Sequence, residues 1–519
     1  MSDAPEFLVE IEAWTGFGVE TLYVATCDYV TSPADTPANR HYLGVVSDPG
    51  SFRRELFGGN LTMGASSASF GIIELASVDG ALDAWLDYGF DGRPLTVKRL
   101  ASRDAPYSSA VTVLRASVER LEGDNAWSTF RLRLYDRLRD LDVPLQGNLY
   151  VGTTLSGGPT ANGTEDQKDA PKPLAFGRDL NVLAVEANPF DHIYQVNDGP
   201  VAAIAVFDGG VALTLADVPN YATLLALQSA PTSAVRPGKY ATCLALGLFR
   251  LGGKPEYSVT ANVTEGATVA ERYAGAVATR ILAKMGIAGP GNINAATFAA
   301  LDAAAPYEVG TYIVAETTAL AAISEVLASV GAALNQSPTG LLEVHRFTGT
   351  GVSVAILEEA DFVGDAVNLI SNPDSKGGLP AWRIVLGYAR CWQVQEDNDL
   401  AYAVPSERRG FLGKFMRETK AESAAVKVKH LLAPEQRIDT LLVNEADAAT
   451  EAARRLPLYS VRRDVLSFDV EDIYADALQP GVTVTMKLPR FGYGAGRDMV
   501  IIAREEKLRD GRVALTVWG

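Results

Sequence analysis

The sequence predicts a mainly β protein of several domains with an α+β region in the middle. Three observations carry this. At 519 residues the chain exceeds what one hydrophobic core organises. Apolar residues alternate with polar ones over short runs in the first and last thirds, the period of half-buried strands. They recur at three- and four-residue intervals chiefly between residues 266 and 347, the period of helices.

Residues 1–150 read as one antiparallel β-domain. It is organised around Ile72 to Leu100: a buried strand (Ile72, Ile73, Leu75), an Asp79-Gly80 turn, an amphipathic helical turn with Leu82, Trp85 and Leu86, and, after Asp91-Gly92, an edge-like strand from Leu95. Strands also fill Phe7 to Thr26, Ser108 to Glu119 and Ser128 to Asp140, the last with Phe130, Leu132 and Leu134 facing in and Arg131, Arg133 and Tyr135 facing out. Residues 151–172 include Ser156 to Pro171, whose Gly, Pro, Asn and Thr without apolar periodicity read as a flexible linker or surface loop.

Residues 173–265 read as a β-rich domain of short strands punctuated by Asp198-Gly199-Pro200 and Asp208-Gly209-Gly210. Residues 266–380 read as an α/β domain. Its first helix carries Tyr273, Val277, Ile281 and Met285 and stops at Gly286. A second starts at Asn294 with Ile293 and Phe298 as a hydrophobic staple, and a third shows Leu320, Ile323, Leu327, Val330 and Leu334. Residues 381–519 read as a C-terminal β-domain with one helix, capped by Asn444, with Ala448, Ala449, Ala452, Ala453 and Leu456 on its apolar side, ending at Arg454-Arg455 and Pro457. In its strand region Val482, Val484, Met486 and Leu488 face in, and Thr483, Thr485 and Lys487 face out.

Composition narrows the function. No apolar run spans a bilayer; even Thr317 to Leu334 is broken by Ser324, Glu325 and Ser329. The start, MSDAPEFLVEIEAW, has acids where a signal peptide needs Lys or Arg, so folding in a cytoplasm is expected. Cys27, Cys243 and Cys391 stand far apart, which argues for buried small hydrophobes over a disulfide framework or zinc knuckle. A formal charge of −17 disfavours a nucleic-acid-binding face.

Chemistry is nowhere concentrated, and no catalytic, cofactor-binding or metal residue is assigned. Asp83, Asp87 and Asp91 are separated by Trp, Leu, Tyr and Phe and read as solvated turn carboxylates, not a cation cage. Asp191 and His192 are adjacent, so on a strand their side chains diverge. His41, His192, His345 and His430 lack the spacing of a zinc hydrolase. Gly492, Gly494 and Gly496 imitate a phosphate loop but lead into a strand, Met499 to Ile502, and read as a hairpin loop. Asn60-Leu-Thr62, Asn162-Gly-Thr164 and Asn262-Val-Thr264 match a glycosylation triplet that arises often by chance. Trp14, Trp85, Trp127, Trp382, Trp392 and Trp518 lie on or beside alternating strands, as core or interface residues do; a sugar-binding cleft is the other reading.

The unit Ile72 to Leu100, the runs KPLAFGRDLNV (Lys172 to Val182), IYQVNDGPV (Ile193 to Val201) and PGKYATCLALGLFRLGGKPEYSVTANV (Pro237 to Val263), and the ending Gly481 to Gly519 resemble successive blocks of phage tail hub and tail-tip proteins of long-tailed phages. Gln393 to Arg417 fits the resemblance least well. The resemblance covers most of the chain and implies a baseplate-hub architecture: the first and last β-domains are tail-tube-like barrels, and three chains make a pseudo-sixfold ring. It implies a structural, non-enzymatic hub without cofactors, joining the tail tube to the tip and forming part of the DNA ejection conduit. The implied partners are further copies in a homotrimer, a distal tail protein, a tape measure protein and a tip or fibre protein, with DNA passing through the lumen without stable binding. It implies a place in the virion after assembly in the host cytoplasm. A carbohydrate-binding adhesin and a cell-wall hydrolase of the tail tip are the alternatives; the second requires two carboxylates in a cleft.

Overall fold

The computed structural model describes residues 5–66, 68–77, 79–124, 128–156, 160–364, 367–374, 378–471 and 477–519, so Trp127 and residues 157–159 lie outside the described residues. The chain is mainly β, arranged as several sheets. Among the described residues seven α-helices accompany them: α1 (Leu224–Gln228), α2 (Ala274–Lys284), α3 (Ala295–Ala304), α4 (Ala319–Ser329), α5 (Ser406–Leu412), α6 (Ala424–Lys429) and α7 (Glu445–Tyr459). No helix among the described residues is long and apolar enough to cross a membrane.

The first sheet has nine strands, in the spatial order Tyr29–Val30, His41–Gly44, Val19–Ala25, Glu6–Trp14, Pro94–Leu100, Val111–Gly123, Thr129–Tyr135, Phe70–Ala76 and Val46–Asp48. Alternation places Val9, Ile11, Ile73, Leu75, Val97, Leu132 and Leu134 on one core face, where Leu82, Trp85 and Phe90 join them. Arg131 and Arg133 face outward and pair with Glu74 and Glu122, each at 2.8 Å. Ile72 and Leu86, expected inside, are exposed. Ile72 precedes inward-facing Ile73 and so takes the opposite face, and the single turn Asp83–Asp87 buries only Trp85.

Between Asp48 and Phe70 the chain leaves this sheet. Strand Ser51–Glu55 pairs antiparallel with the second half of Arg497–Lys507, from Glu55 opposite Ala503 to Ser51 opposite Lys507. Leu56 and Phe57 then enter a core with Trp518 and Tyr459. Thr62 bonds Asp374 and the Tyr459 hydroxyl, and the Ser66 hydroxyl accepts from the Leu334 amide at 2.8 Å. The excursion straps the first sheet to the rest of the molecule.

Two five-stranded sheets follow, sharing a core that includes Val182, Val206, Ala261, Tyr194 and Phe249. Leu174–Leu183 and Val185–Asn188 are consecutive but belong to different sheets, as do Val211–Ala212 and Thr214–Asn220; the chain crosses at Ala184 and Leu213. The segment 160–171 is not a free linker. The Gly163 amide donates to the Ala187 carbonyl, the Tyr150 amide to that of Ala170, and the Gln167 side chain to that of Glu186, so the segment is tied at these points to Tyr150 and to strand Val185–Asn188.

Helices α2, α3 and α4 bury Val277, Ile281, Phe298, Ile323 and Leu327 in one core with strands Ala332–Gln336 and Leu342–Arg346. Gly286 takes φ +77° beyond α2, where the Ile287 amide returns to the Leu282 carbonyl. Ile293 and Phe298 are buried together at the start of α3, as a staple requires. Leu334, expected on the third helix, lies in the strand after it.

The C-terminal sheet runs Ser353–Glu358, Thr483–Lys487, Arg497–Lys507, Arg512–Trp518, Val465–Glu471, Asn368–Ile370, with Ser51–Glu55 on Arg497–Lys507. It is covered on both faces: Val484, Met486, Ile501 and Leu515 on one side, Val500, Ile502 and Trp518 on the other. Thr483, expected outside, is buried because its hydroxyl accepts from the Gly351 amide at 2.8 Å. A separate three-stranded sheet, Arg417–Glu422, Arg383–Tyr388 and Glu435–Asp439, packs against α7. Among the described residues no sheet closes through an unbroken hydrogen-bond ladder.

Helix α7 departs from its expected pattern. It continues through Pro457 to Tyr459, since a proline near the last turn forgoes little and the Tyr459 side chain is held in the core. Ala449 and Ala453 are exposed, while Glu451 and Arg455 are buried. Glu451 meets three guanidiniums: Arg346 at 2.7 Å, Arg454 at 2.6 Å and Arg455 at 2.7 Å. Arg455 also donates to the carbonyls of Ala328 and Ser329 at the end of α4, Arg346 to those of Val330 and Ala304, and Arg454 to that of Phe347. Burial works to raise the Glu451 carboxyl, but the arginines outweigh it and hold it below the usual range. Replacing Glu451 with Gln leaves buried Arg455 and the partly buried Arg346 and Arg454 without their carboxylate, so the urea midpoint should fall by the equivalent of about 3–5 kcal/mol; a change within error shows that the node is not stabilising.

Candidate functional site

A cavity of about 440 Å³ lies where the first sheet, the α/β region and the C-terminal sheet meet. The strap supplies Phe52, Arg54 and Leu56, the first sheet Phe70, Leu114, Leu134 and Asp136, strand Leu342–Arg346 Glu343 and His345, and the C-terminal region Pro480, Val482 and Glu506. Its wall is largely apolar, with charged groups in pairs. Arg54 meets Glu506 at 2.5 Å, and His345 meets Glu343 at 3.6 Å. Such a shape suits an apolar body carrying few polar groups.

Two carboxyls on this wall are shifted in opposite directions. Burial pushes Asp136 up to about 6, against the amides of Ser69 and Leu138 that hydrogen-bond its oxygens at 2.8 and 3.0 Å. Burial works to raise Glu343 too, but His345, Asn294 and Arg54 together outweigh it and leave the carboxyl low. A split pair resembles an acid and a base in outline. Yet both Asp136 oxygens are spent on backbone amides that shape the turn after Thr129–Tyr135, which is a structural use.

The other sequence candidates are dispersed. Asp191 accepts from Gln228 and Asn188, and His192 lies 4.0 Å from Glu186, so the two neighbours do not pair with each other. His41 pairs with Asp28 on the surface, and His430 lies beside Arg462 in a separate hollow. Asp83 and Asp87 start and end a 3-10 turn, and no three His, Cys, Asp or Glu side chains converge as metal ligands among the described residues. Gly492 and Gly496 turn the chain into strand Arg497–Lys507 with positive φ. Thr62 of the first Asn-x-Thr triplet is buried, and Asn262 of the third accepts from the Asn181 amide. Cys243 and Cys391 are buried and Cys27 partly so, all free thiols.

Trp85 and Trp518 are in separate cores, Trp14 is half exposed at a hairpin end, Trp382 lies under Arg383 and Lys427, and Trp392 packs edge-on to Tyr312. Among the described residues, none of them lines the junction cavity. The junction cavity was missed from sequence because its walls come from segments hundreds of residues apart; the one local signal is Asp136, a carboxylate directly after an alternating strand.

No protein-family model matches the chain, and no curated protein does. Among solved structures it is similar to a tail protein from Neisseria meningitidis MC58, at 11% identity over 99% of this chain and 97% of that chain, with a TM-score of 0.39. It is also similar to the 43 kDa tail protein of prophage MuSo2 from Shewanella oneidensis, at 11% identity over 99% and 98%, TM-score 0.40. A third is prophage tail protein gp18 from Listeria monocytogenes EGD-e, at 9% identity over 99% and 94%, TM-score 0.39. These are phage tail proteins, the class that the sequence blocks resemble.

The Asp136 carboxyl is raised in the folded state, so the stability it contributes is complete below the ordinary carboxylate range and is lost as pH rises through about 6. The stability difference between the wild type and Asp136→Asn should therefore narrow across that window, by on the order of 3 kcal/mol in urea unfolding. A pH-independent difference contradicts the shift.

Proposed function

We propose that the chain is a structural hub of a phage tail tip or baseplate, joining the tail tube to tip or fibre proteins and forming part of the DNA ejection conduit. The observation that carries this reading is the run His41–Gly44, Val45, Val46–Asp48. Its first part pairs with Val19–Ala25 and its second with Phe70–Ala76, strands at opposite parts of the nine-stranded path. One run held at both places is what a sheet wrapped round its own core requires, and a wrapped sheet is the tube-type barrel that the sequence blocks resemble.

The same reading applies to the two five-stranded sheets, joined through Ala184 and Leu213. Each ring then comprises seven runs of chain. An odd ring cannot alternate direction throughout, and each has one parallel pair: Val19–Ala25 with His41–Gly44, and Thr214–Asn220 with Lys239–Cys243. The resemblance puts the second barrel in the last β-domain, 381–519; the proposal moves it to the region 174–263 and takes the C-terminal sheet, covered on both faces, as a brace. Three chains with two barrels each supply the six positions of a tube ring, as a homotrimer. A net charge of −17 suits a DNA conduit, because like charge keeps phosphates from adhering. The remaining partners of the proposal are a distal tail protein, a tape measure protein and a tip or fibre protein, within a virion assembled in the host cytoplasm.

A cell-wall hydrolase has one observation in its favour, the oppositely shifted Asp136 and Glu343 on one cavity wall. The hub reading expects ring-shaped trimers with an acidic axial opening in electron micrographs, of the protein alone or mixed with neighbouring tail proteins, and no turnover of peptidoglycan. A persistent monomer in both preparations, a basic lumen, or turnover abolished by Asp136→Asn or Glu343→Gln overturns it.

A further inference from the structure

Two surface patches have opposite charge and similar apolar content. The first surrounds strand Ser353–Glu358, an end strand of the C-terminal path, paired along one edge with Thr483–Lys487. Val352, Val354 and Ile356 beside that edge are 91%, 57% and 61% exposed, and the strand runs into Glu358, which pairs with Lys487 at 2.8 Å, and then into exposed Glu359, which supplies the acid of the patch. The end strands Arg417–Glu422 and Glu435–Asp439 of the three-stranded sheet are treated differently. They carry charges at alternate positions, a device that discourages edge-to-edge pairing and that Ser353–Glu358 lacks.

The second patch is the turn after Arg417–Glu422, residues 423–434, SAAVKVKHLLAP. It has two lysines, a histidine and no acid, in a chain with 63 Asp and Glu against 46 Lys and Arg. Val428, Leu431 and Leu432 are 80%, 85% and 82% exposed. The Lys427 ammonium lies 4.0 Å above the Trp382 ring and fixes the base of the tip.

We infer that the basic tip 423–434 of one copy docks on the acidic, apolar edge 352–359 of a second copy of this chain. A single copy leaves both apolar surfaces in water, which a solitary soluble protein rarely does. Copies with a charge of −17 repel at a distance, so contact between them needs a local reversal of sign, and the tip supplies one. An anionic lipid surface suits the tip alone; it leaves the acidic edge uncovered and repels the rest of the chain. The inference rests on the hub reading only for the number of copies joined.

The test uses the full chain in a Cys27→Ser background, the other two thiols being buried. Copies carrying Leu431→Cys are mixed with copies carrying Ile356→Cys under mild oxidation, and a disulfide joining one of each is expected. Lys429→Glu should reduce its yield about tenfold, and Glu359→Lys on the other copy should restore it. No mixed disulfide, tip-to-tip dimers alone, no restoration by the charge swap, or tip-dependent binding to phosphatidylglycerol vesicles in place of the cross-link overturns the contact. Rings that persist without the cross-link leave the hub reading standing and remove this contact; a cross-link without rings does the reverse.

Discussion

The fold depends on one pairing between distant parts of the chain. Ser51–Glu55 lies along Arg497–Lys507, and the pair is pinned by Arg54 and Glu506, 452 residues apart. Thr483–Lys487 covers only the start of Arg497–Lys507, so the strap completes an edge whose backbone donors and acceptors are otherwise left bare. Because Val46–Asp48 and Phe70–Ala76 flank the strap and belong to the first sheet, that sheet is bound to the C-terminal one at both ends of the excursion. The junction cavity is the gap left where these surfaces and strand Leu342–Arg346 fail to meet.

The second constraint is the Glu451 node. Four charges in the interior are tolerated because each guanidinium also meets a carbonyl, mostly at the unpaired ends of α3 and α4. The arrangement does for helix termini what caps usually do, from a distance, and it aligns α7 with the α/β region in the same step.

Local rules made much of this legible in the sequence. Phe130 to Tyr135 alternate as read, α2 ends at Gly286, and Ile293 with Phe298 staple α3, because each depends on neighbours within four residues. What was not legible depends on distant partners. SFRRE, residues 51–55, has no periodicity to announce a strand, and becomes one because Arg497–Lys507 offers an edge. Ala449 and Ala453 read as core, and nothing within the helix marks Glu451 and Arg455 as buried, since the carbonyls of α4 fix which side is inside. The cavity, assembled from three regions, has little sequence signature beyond Asp136, and alternation alone does not reveal that Trp85 and Trp518 belong to separate cores.

The strap also sets a rule for biosynthesis. Ser51–Glu55 leaves the ribosome hundreds of residues before its partner strand exists, and until then Leu56 and Phe57 have no core to enter. A nascent or truncated chain therefore displays sticky apolar residues near its start, where chaperones and proteases can read them. Completion of the last strands hides that flag, so the molecule reports its own integrity before it becomes available to build anything larger.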